Sequence, residues 1–488
     1  MIAEPRATHE VALGELARCA GAGLIGTTDG PPADGVLVTD VVHDSRHVGP
    51  GHLFVCIRGT SVDGHDLAID AVAAGAVALV VDHRLEIGVP QLHVDDTRVA
   101  MAPIAACFFG HPAESMTVIG VTGTNGKTTV VHLLRSILEQ AGTAAATIGT
   151  LTGGHTTPTT PEAPELQRRL AALLARGTEA VAIEISSHAL SLHRVDAIVA
   201  DIAVFTNLSR DHLDFHASMD TYFQAKARLF TPAHARQAVV NLDDSHGRLL
   251  FDAASIPTIG YRLADASGLQ LHPDHSSFVW ESQHVTLPLV GRANVSNALA
   301  AATVARLLGI PTATIADGLE RVEPVRGRFE RVDLGAGFEA MVDYAHTPDA
   351  LSQLLETANE LTGSGRVHLV VGCGGDKDRT KRVPMGDAAA RLADHVVLTS
   401  DNPRSEDPYA IIDEMRAGMS TTEHVDIEIE ADRRQAIRRA LAAAAPGDLV
   451  VVAGKGHETE QIIGDQTIPF DDRVVVVEEW ERLNGTVR

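Results

Sequence analysis

Cysteine is scarce in this chain: 488 residues carry four, at positions 19, 56, 107 and 373. None forms a CxxC pair, so the spacing suggests neither a thiolate zinc site nor a dense disulfide framework, and a reducing compartment is the simpler home. Basic residues are also in short supply, 40 Lys and Arg against 64 Asp and Glu, for a formal charge of −24. That balance argues against a general nucleic-acid or anionic-membrane surface, so any anion must be bound locally. Long apolar runs are missing as well. The longest, residues 71–81, is too short to span a bilayer, and Glu4, Arg6, Glu10 and Glu15 interrupt the N-terminus where a secretory leader would be apolar. A soluble, cytoplasmic protein is expected.

What is present is a long alternation of short β-branched runs and helix-like stretches. The length suits several domains, and three are expected. Residues 1–113 hold "VLVTDVVHDSRHVGPGHLFVCIRG" and the Ala-rich "AIDAVAAGAVALVVD", which read as a small N-terminal α/β domain. Residues 114–326 begin with "TVIGVTGTNGKTT" and continue through "AVAIEISSH", "IAVFTNLSRDH" and "AVVNLDD". Each run ends in polar or Gly-rich residues, as buried parallel strands do in a P-loop-type ATPase domain. Residues 327–488 repeat the pattern in "MVDYAHTPDA", "VHLVVGCGGDKDR", "HVVLTSDNPR" and "LVVVAGKGHE", a Rossmann-like C-terminal α/β domain. Ligands of doubly wound sheets gather beyond the carboxyl ends of the strands, so two such edges facing each other would make one interdomain cleft.

The segment 123–129, "GTNGKTT", lies between a strand and a helix. Backbone N–H groups and the helix N-terminus attract phosphate, Lys127 adds a point charge, and the Thr128 hydroxyl suits magnesium. A strict Walker A pattern would need glycine at 121, where valine stands. Glu184, at the end of "AVAIE", makes an oxygen-ligand pair with Thr128 plausible for a hard cation. His212 in "RDHLDFH" reads either as a hydrogen-bonded structural histidine or as a site residue beside the phosphate loop. Lys226 in "YFQAKARLF" by itself reads as a solvated helix lysine.

The ordered set "TGTNGKTT", "TTPEAPELQ", "EISSHAL", "FTNLSRDHLDFH", "YFQAKARLF", "DYAHTPDAL", "GCGGDKDRTKR", "DNPRSEDP" and "GKGHE" closely resembles the Mur ligases, from about "HDSRHV" to "PFDDR". More narrowly, it is similar to the branch that adds the third residue of the peptidoglycan stem peptide. The resemblance implies ATP-dependent amide synthesis. ATP would phosphorylate the D-Glu γ-carboxylate of UDP-N-acetylmuramoyl-L-Ala-D-Glu, and an amine would displace phosphate. It further implies that Lys226 is carbamylated and joins Glu184 and His212 around a second Mg2+, beside the Thr128 and Glu184 pair, with Lys127 also catalytic. Gly123, Thr124, Asn125, Gly126, Lys127, Thr128, Thr129, Asn297, Arg328 and Asp343 would contact the nucleotide. Three of these have plainer alternatives: Asn297 as a helix cap, Asp343 as organiser of its own turn, and Arg328 as a surface ion pair. Ser45, Thr60, Ser61, Val62, Thr159, Thr160, Ser186 and Arg194 would hold the UDP-linked peptide; the hydroxyls could equally satisfy local backbone.

For the added amino acid the resemblance points to Asp401, Asn402, Pro403 and Arg404, with Gly454 and Glu458 beyond. The planar donor fork of Arg404 suits the distal carboxylate of meso-diaminopimelate and would repel the ammonium of lysine. LL-diaminopimelate, lysine and a specialised peptide pathway stand as alternatives. So, from another class, does a nonenzymatic nucleotide-binding scaffold, against which Lys127, Glu184, His212 and Lys226 speak. Three departures from relatives are visible: Lys377 where many have arginine, Leu192 where some have glutamine, and a short connection "GTLTGGHTTPTTPE". Domain closure is expected, because nucleotide and amino-acid residues fall on different domains.

Overall fold

The computed structural model describes residues 9–27, 32–59, 62–152, 158–419 and 425–485. Its largest sheets are parallel, or parallel with one antiparallel edge. The central sheet runs in the order Thr258–Tyr261, Ala235–Asn241, Ala200–Phe205, Thr117–Thr122, Ala180–Glu184, Ala145–Ile148, every pair parallel. Such strands are buried on both faces, which is why they read as unbroken β-branched runs. In Thr117–Thr122, Ile119 and Val121 enter one core with the helices Lys127–Gln140 and Arg292–Leu307, while Val118 enters the core on the opposite face with Leu166, Leu170 and Phe230.

A five-stranded sheet precedes it, in the order Gly23–Ile25, Gln91–His93, Ala78–Val81, His52–Val55, Asp40–Val42, with only the first pair antiparallel. The helix Thr97–Phe108 leans from this unit onto Ala163–Ala175 of the next, and Arg168 ties the two through Asp40 at 2.6 Å. Cysteine scarcity proved less restrictive than the sequence suggests. Cys19 and Cys107, 88 residues apart in the chain, are joined in a disulfide with Cα atoms 6.3 Å apart. Spacing along the chain cannot reveal this pair, because two different helices, Leu13–Ala20 and Thr97–Phe108, bring it together. Cys56 and Cys373 are free and buried.

The last large sheet has the order Glu330–Arg331, Glu339–Asp343, Leu449–Ala453, Val367–Val371, His395–Leu398, Asp426–Ile429, antiparallel only at its first pair. A three-stranded antiparallel sheet, residues 267–287, covers one side of the Lys127 helix core. No helix among the described residues is long and apolar enough to cross a membrane.

Candidate functional site

The strand Thr117–Thr122 delivers the chain into a tight loop before the helix Lys127–Gln140. Glycine is required at both ends of that loop. Gly123 has φ +151° and a side chain there would run into the Thr206 hydroxyl; Gly126 has φ +87° and faces the Asn297 amide. Between them, Asn125 N–H donates to Asn207 Oδ1 at 2.9 Å and Thr206 Oγ1 donates to Asn125 O at 2.6 Å, so the neighbouring strand end fixes the loop. Lys127 folds back to donate to Gly123 O at 2.9 Å and Thr124 O at 2.8 Å. Burial lowers its pKa, opposed by the nearby Glu184 and Asp211 carboxylates. The loop is thus held open for an anion that would take over the lysine's hydrogen bonds.

Glu184 ends the adjoining strand and is 1% exposed. Its carboxylate accepts from the Thr128 hydroxyl at 3.0 Å, from Thr150 N–H at 2.9 Å and from the Thr150 hydroxyl at 3.2 Å. This sets hard oxygen donors at the mouth of the phosphate loop, the chemistry magnesium prefers. Lys226 is not a solvated helix lysine: it is 1% exposed, donates to the same Gly123 carbonyl at 2.8 Å and lies 4.6 Å from the Tyr222 ring centroid. Burial first, and Lys127 second, push its pKa well below that of ordinary lysine. His212 adopts a left-handed backbone, φ 54°, pairs with Asp211 at 3.3 Å and packs edge-on against His188. Burial lowers its pKa, with Asp211 pulling the other way.

Six of the ten nucleotide candidates, Asn125, Gly126, Thr129, Asn297, Arg328 and Asp343, line one recess; Gly123, Thr124, Lys127 and Thr128 do not. Asn297 does not cap its helix; it is 8% exposed in the interior of Arg292–Leu307, whose N-cap is Gly291. Arg328 is no surface ion pair but stacks 4.6 Å from the Tyr344 ring centroid. Asp343 does organise its own turn, accepting from Ala345 N–H at 2.7 Å and Phe329 N–H at 2.6 Å, and burial raises its pKa.

Beside this recess lies a second cleft, lined from the central sheet by His188, Asp211 and His212 and from the last sheet by His346, Lys377, Lys381, Asp401, Arg404, Gly454 and Glu458. Gly454 has φ +114°, and a Cβ there would sit 2.7 Å from Asp401 Oδ2. Asn402 and Glu458 are linked at 2.8 Å, and the buried Lys455 donates to both, at 3.2 and 3.0 Å. Pro403 is buried and Arg404, φ 51°, aims its Nη1 at Gly375 O, 2.7 Å away. Sequence reasoning missed Asp211, His188, His346, Lys381 and Lys455; their places inside "DHLD", "EISSHAL", "DYAHTPDAL", "GCGGDKDRTKR" and "GKGHE" were the available signal.

The remaining candidates surround the Glu184 strand end. Thr160 donates to Glu184 O at 2.8 Å and accepts from Ser186 N–H at 3.0 Å, Thr159 accepts from Thr150 at 3.3 Å, and Ser186 caps a short helix through Ala189 N–H. Of these hydroxyls Ser186 satisfies local backbone, Thr160 serves backbone groups of the neighbouring strand end, and Thr159 meets another hydroxyl. Arg194 donates to Thr160 O at 3.0 Å and pairs with Glu162 at 2.7 Å, while its buried Nε has no partner among the described residues. Ser45 begins a single 3₁₀ turn, and Val62 is exposed. Thr60 and Ser61 lie outside the described residues.

A phosphate loop facing a second Rossmann-like edge across a cleft defines a nucleotide-dependent α/β enzyme that brings two substrates together. Three family descriptions divide the chain between them: "Mur ligase family, catalytic domain" over residues 37–124, "Mur ligase middle domain" over 121–305 and "Mur ligase, glutamate ligase domain" over 327–456. The chain belongs to the Mur ligase family. It is 45% identical over 471 residues to the UDP-N-acetylmuramoyl-L-alanyl-D-glutamate--2,6-diaminopimelate ligase of Syntrophomonas wolfei, covering 92% of this chain and 96% of that one. To the enzyme of the same name from Streptomyces coelicolor it is 45% identical over 480 residues, covering 93% and 94%. A solved structure bearing that name superposes with a TM-score of 0.66 at 32% identity, over 97% of this chain and 99% of the other. The MurF ligase of Thermotoga maritima in complex with ADP shares the fold, with a TM-score of 0.64 at 19% identity over 92% and 98%.

Proposed function

We propose that this chain is a cytoplasmic ATP-dependent ligase joining meso-diaminopimelate to the D-Glu γ-carboxyl of UDP-N-acetylmuramoyl-L-Ala-D-Glu in peptidoglycan synthesis. The observation that carries it is the placement of the Arg404 guanidinium in the cleft that also holds His212, beside the nucleotide recess. The names of the relatives point the same way. In this reading residues 1–113 bind the UDP end, 114–326 the ATP, and 327–488 the amino acid.

A carboxylate is a poor electrophile, so it must first acquire a leaving group. The γ-carboxylate oxygen bonds to the terminal phosphorus of ATP, ADP departs, and an acyl phosphate remains. The amine then attacks the acyl carbon, the C–O bond to phosphate breaks, and the amine sheds a proton. The phosphate-loop N–H groups and Lys127 hold the charge that shifts along the phosphates. Asn297 would orient the nucleotide from the helix Arg292–Leu307, and Arg328 and Asp343 from the start of the last sheet. Thr128 and Glu184 fit magnesium, which when bound offsets charge crowded around the transferring phosphate. Lys226 fits carbamylation, because a desolvated, neutral amine is the form that attacks CO2. The N–C bond forms, one proton leaves, and the product carries oxygens suited to the same cation as Glu184 and His212. Arg194, Thr159, Thr160 and Ser186 sit where the UDP-linked peptide's carboxylate would approach Glu184.

At the amino-acid end, Arg404 matches a distal carboxylate with charge-assisted hydrogen bonds, and Glu458 matches the adjoining ammonium. Lysine offers Arg404 only repulsion. Phosphate release and product mass should be followed with ATP, Mg2+ and UDP-N-acetylmuramoyl-L-Ala-D-Glu, adding meso-diaminopimelate, LL-diaminopimelate or lysine singly. Turnover with meso-diaminopimelate, lost in Lys127→Ala, is the expected result. Equal turnover with lysine, or a fully active Lys127→Ala, would overturn the assignment.

A further inference from the structure

We infer that Glu406 is a positioning residue for diaminopimelate selectivity, acting through Arg404. The inference deepens the proposed function and rests on its assignment of Arg404 to the distal carboxylate.

The loop carrying Arg404 is zipped to the loop after the strand Val367–Val371. Gly375 N–H donates to Asn402 O at 2.9 Å, and Arg404 Nη1 donates to Gly375 O at 2.7 Å. Ser405 donates twice to Asp376, its N–H to Oδ2 at 3.1 Å and its hydroxyl to Oδ1 at 2.7 Å. Both Asp376 and Arg404 have left-handed backbones, φ 53° and 51°, a region that non-glycine residues occupy only when their surroundings impose it.

The Arg404 backbone pairs with Ile462 O at 3.1 Å and with Gly464 N–H at 2.7 Å, and the Asp376 side of the zip is braced by Glu406. Glu406 Oε1 accepts Asp376 N–H at 2.7 Å and Arg382 Nη2 at 2.8 Å, and its Oε2 accepts Arg382 Nη1 at 3.0 Å. Arg382 is 0% exposed, reaches Gly374 O at 3.3 Å and pairs again with Glu414 on the helix that follows the loop. Arg379 meets the same Glu406 oxygen at 3.2 Å. A buried, forked cation therefore fixes one carboxylate, which fixes the Asp376 peptide, which braces the turn presenting Arg404. Glu406, Arg382, Asp376 and Glu414 do not line the cleft, whereas Gly374, Asn402 and Arg404 do. Of these three, only Arg404 carries a cationic side chain, and it is the route by which Glu406 reaches a carboxylate substrate.

Neutralising Glu406 should loosen the fork without touching nucleotide or UDP-peptide contacts. In Glu406→Gln the KM for meso-diaminopimelate should rise about tenfold, with kcat and the KM values for ATP and UDP-peptide within about threefold. Discrimination against lysine should fall by a similar factor. Glu406→Asp, which keeps the charge, should recover part of the lost affinity. Circular dichroism and a thermal melt establish that each variant is folded. A loss confined to kcat, with amino-acid KM and lysine discrimination intact, would mean that Glu406 is merely structural. Arg404→Ala separates the two layers. If it raises the amino-acid KM while Glu406→Gln does not, only the positioning role falls; if it leaves that KM unchanged, the reading of Arg404 falls and this inference with it.

Discussion

Replacing Gly126 by alanine tests whether the phosphate loop works through its backbone shape. At φ +87° the new side chain is forced into the left-handed region, at a cost of roughly 1–2 kcal/mol. Its Cβ would also lie 3.1 Å from Asn297 Cγ, and closer still to Oδ1, so the Asn297 amide must rotate out of the nucleotide recess. The loop relaxes by leaving the phosphate-binding conformer, and apparent ATP affinity falls by the fraction of molecules still competent. From the backbone term alone that is about 5- to 30-fold, with Asn297's displacement adding to it. The control is Gly142→Ala, just beyond the far end of the same helix. Gly142 has φ +82° but nothing within 4 Å of the added methyl, so it bears the same backbone strain with no clash and no ligand nearby. The assay is initial phosphate release against ATP concentration, with both other substrates saturating, alongside calorimetric binding of a nonhydrolysable ATP analogue. Gly126→Ala should raise the ATP KM and weaken the analogue in proportion; Gly142→Ala should lower stability by roughly 1 kcal/mol and leave both unchanged. Equal ATP affinity in Gly126→Ala and wild type would refute the cradle.

Three further outcomes are expected. Unmodified Lys226 has a folded pKa below its unfolded value of about 10.4, so the unfolded state binds the proton more readily and stability falls as pH drops from about 10 toward the folded pKa. Urea melts across that range should show this slope in bicarbonate-free buffer and lose it in Lys226→Met; an identical slope in both would rule the lysine out. Reducing Cys19–Cys107 opens an 88-residue covalent loop, worth at most roughly 4–5 kcal/mol by chain entropy, so dithiothreitol should lower the melting temperature and expose two thiols before Cys56 and Cys373 react. Unchanged melting and four equivalent thiols would exclude the link. Asp472→Asn leaves Arg433, fully buried and bonded also to Ala453 O, without its countercharge and with one acceptor oxygen in place of two; a loss of about 3–5 kcal/mol in urea denaturation is expected, and a loss under 1 kcal/mol would contradict it.

How much of this was legible in the sequence depends on how local each device is. The phosphate loop could be read because one contiguous segment supplies strand, glycines, lysine and helix. Asn297 could be placed in the recess only through resemblance: its helix returns to the loop after more than a hundred residues, and nothing in "GRANVSNALAA" distinguishes a buried amide facing Gly126 from a cap. Arg194 reads as an unattached anion contact, whereas the fold hands it Glu162. Any anion there must compete with, or displace, that carboxylate. "DNPR" announced Arg404, but not its left-handed turn, because the groups that brace the loop, the Ile462 carbonyl and Glu406 backed by the buried Arg382, meet it only in the folded chain.

The same distinction explains how a chain of net charge −24 can handle crowded anions. Its acidic excess is a property of the whole surface, while the site is set by what converges on it. Lys127 and Lys226 share one carbonyl, Gly123 O, beneath the phosphate loop. Lys381 and His346 arrive from the last sheet, and Asp211 stands between the two groups, 8% exposed and 4.0 Å from His346 Nε2. Burial alone would raise the Asp211 pKa, yet His212, His346 and Lys381 together hold it below the ordinary range. One of those three belongs to its own loop and two come from across the cleft. Two of the three groups that lower its pKa therefore reach Asp211 only because the two sheet edges face each other. The neighbouring contacts, Arg210 to Thr380 at 2.6 Å among them, close the same seam. The seam is accordingly bridged by a buried carboxylate with a partner on each side, His212 in its own loop and His346 across the cleft.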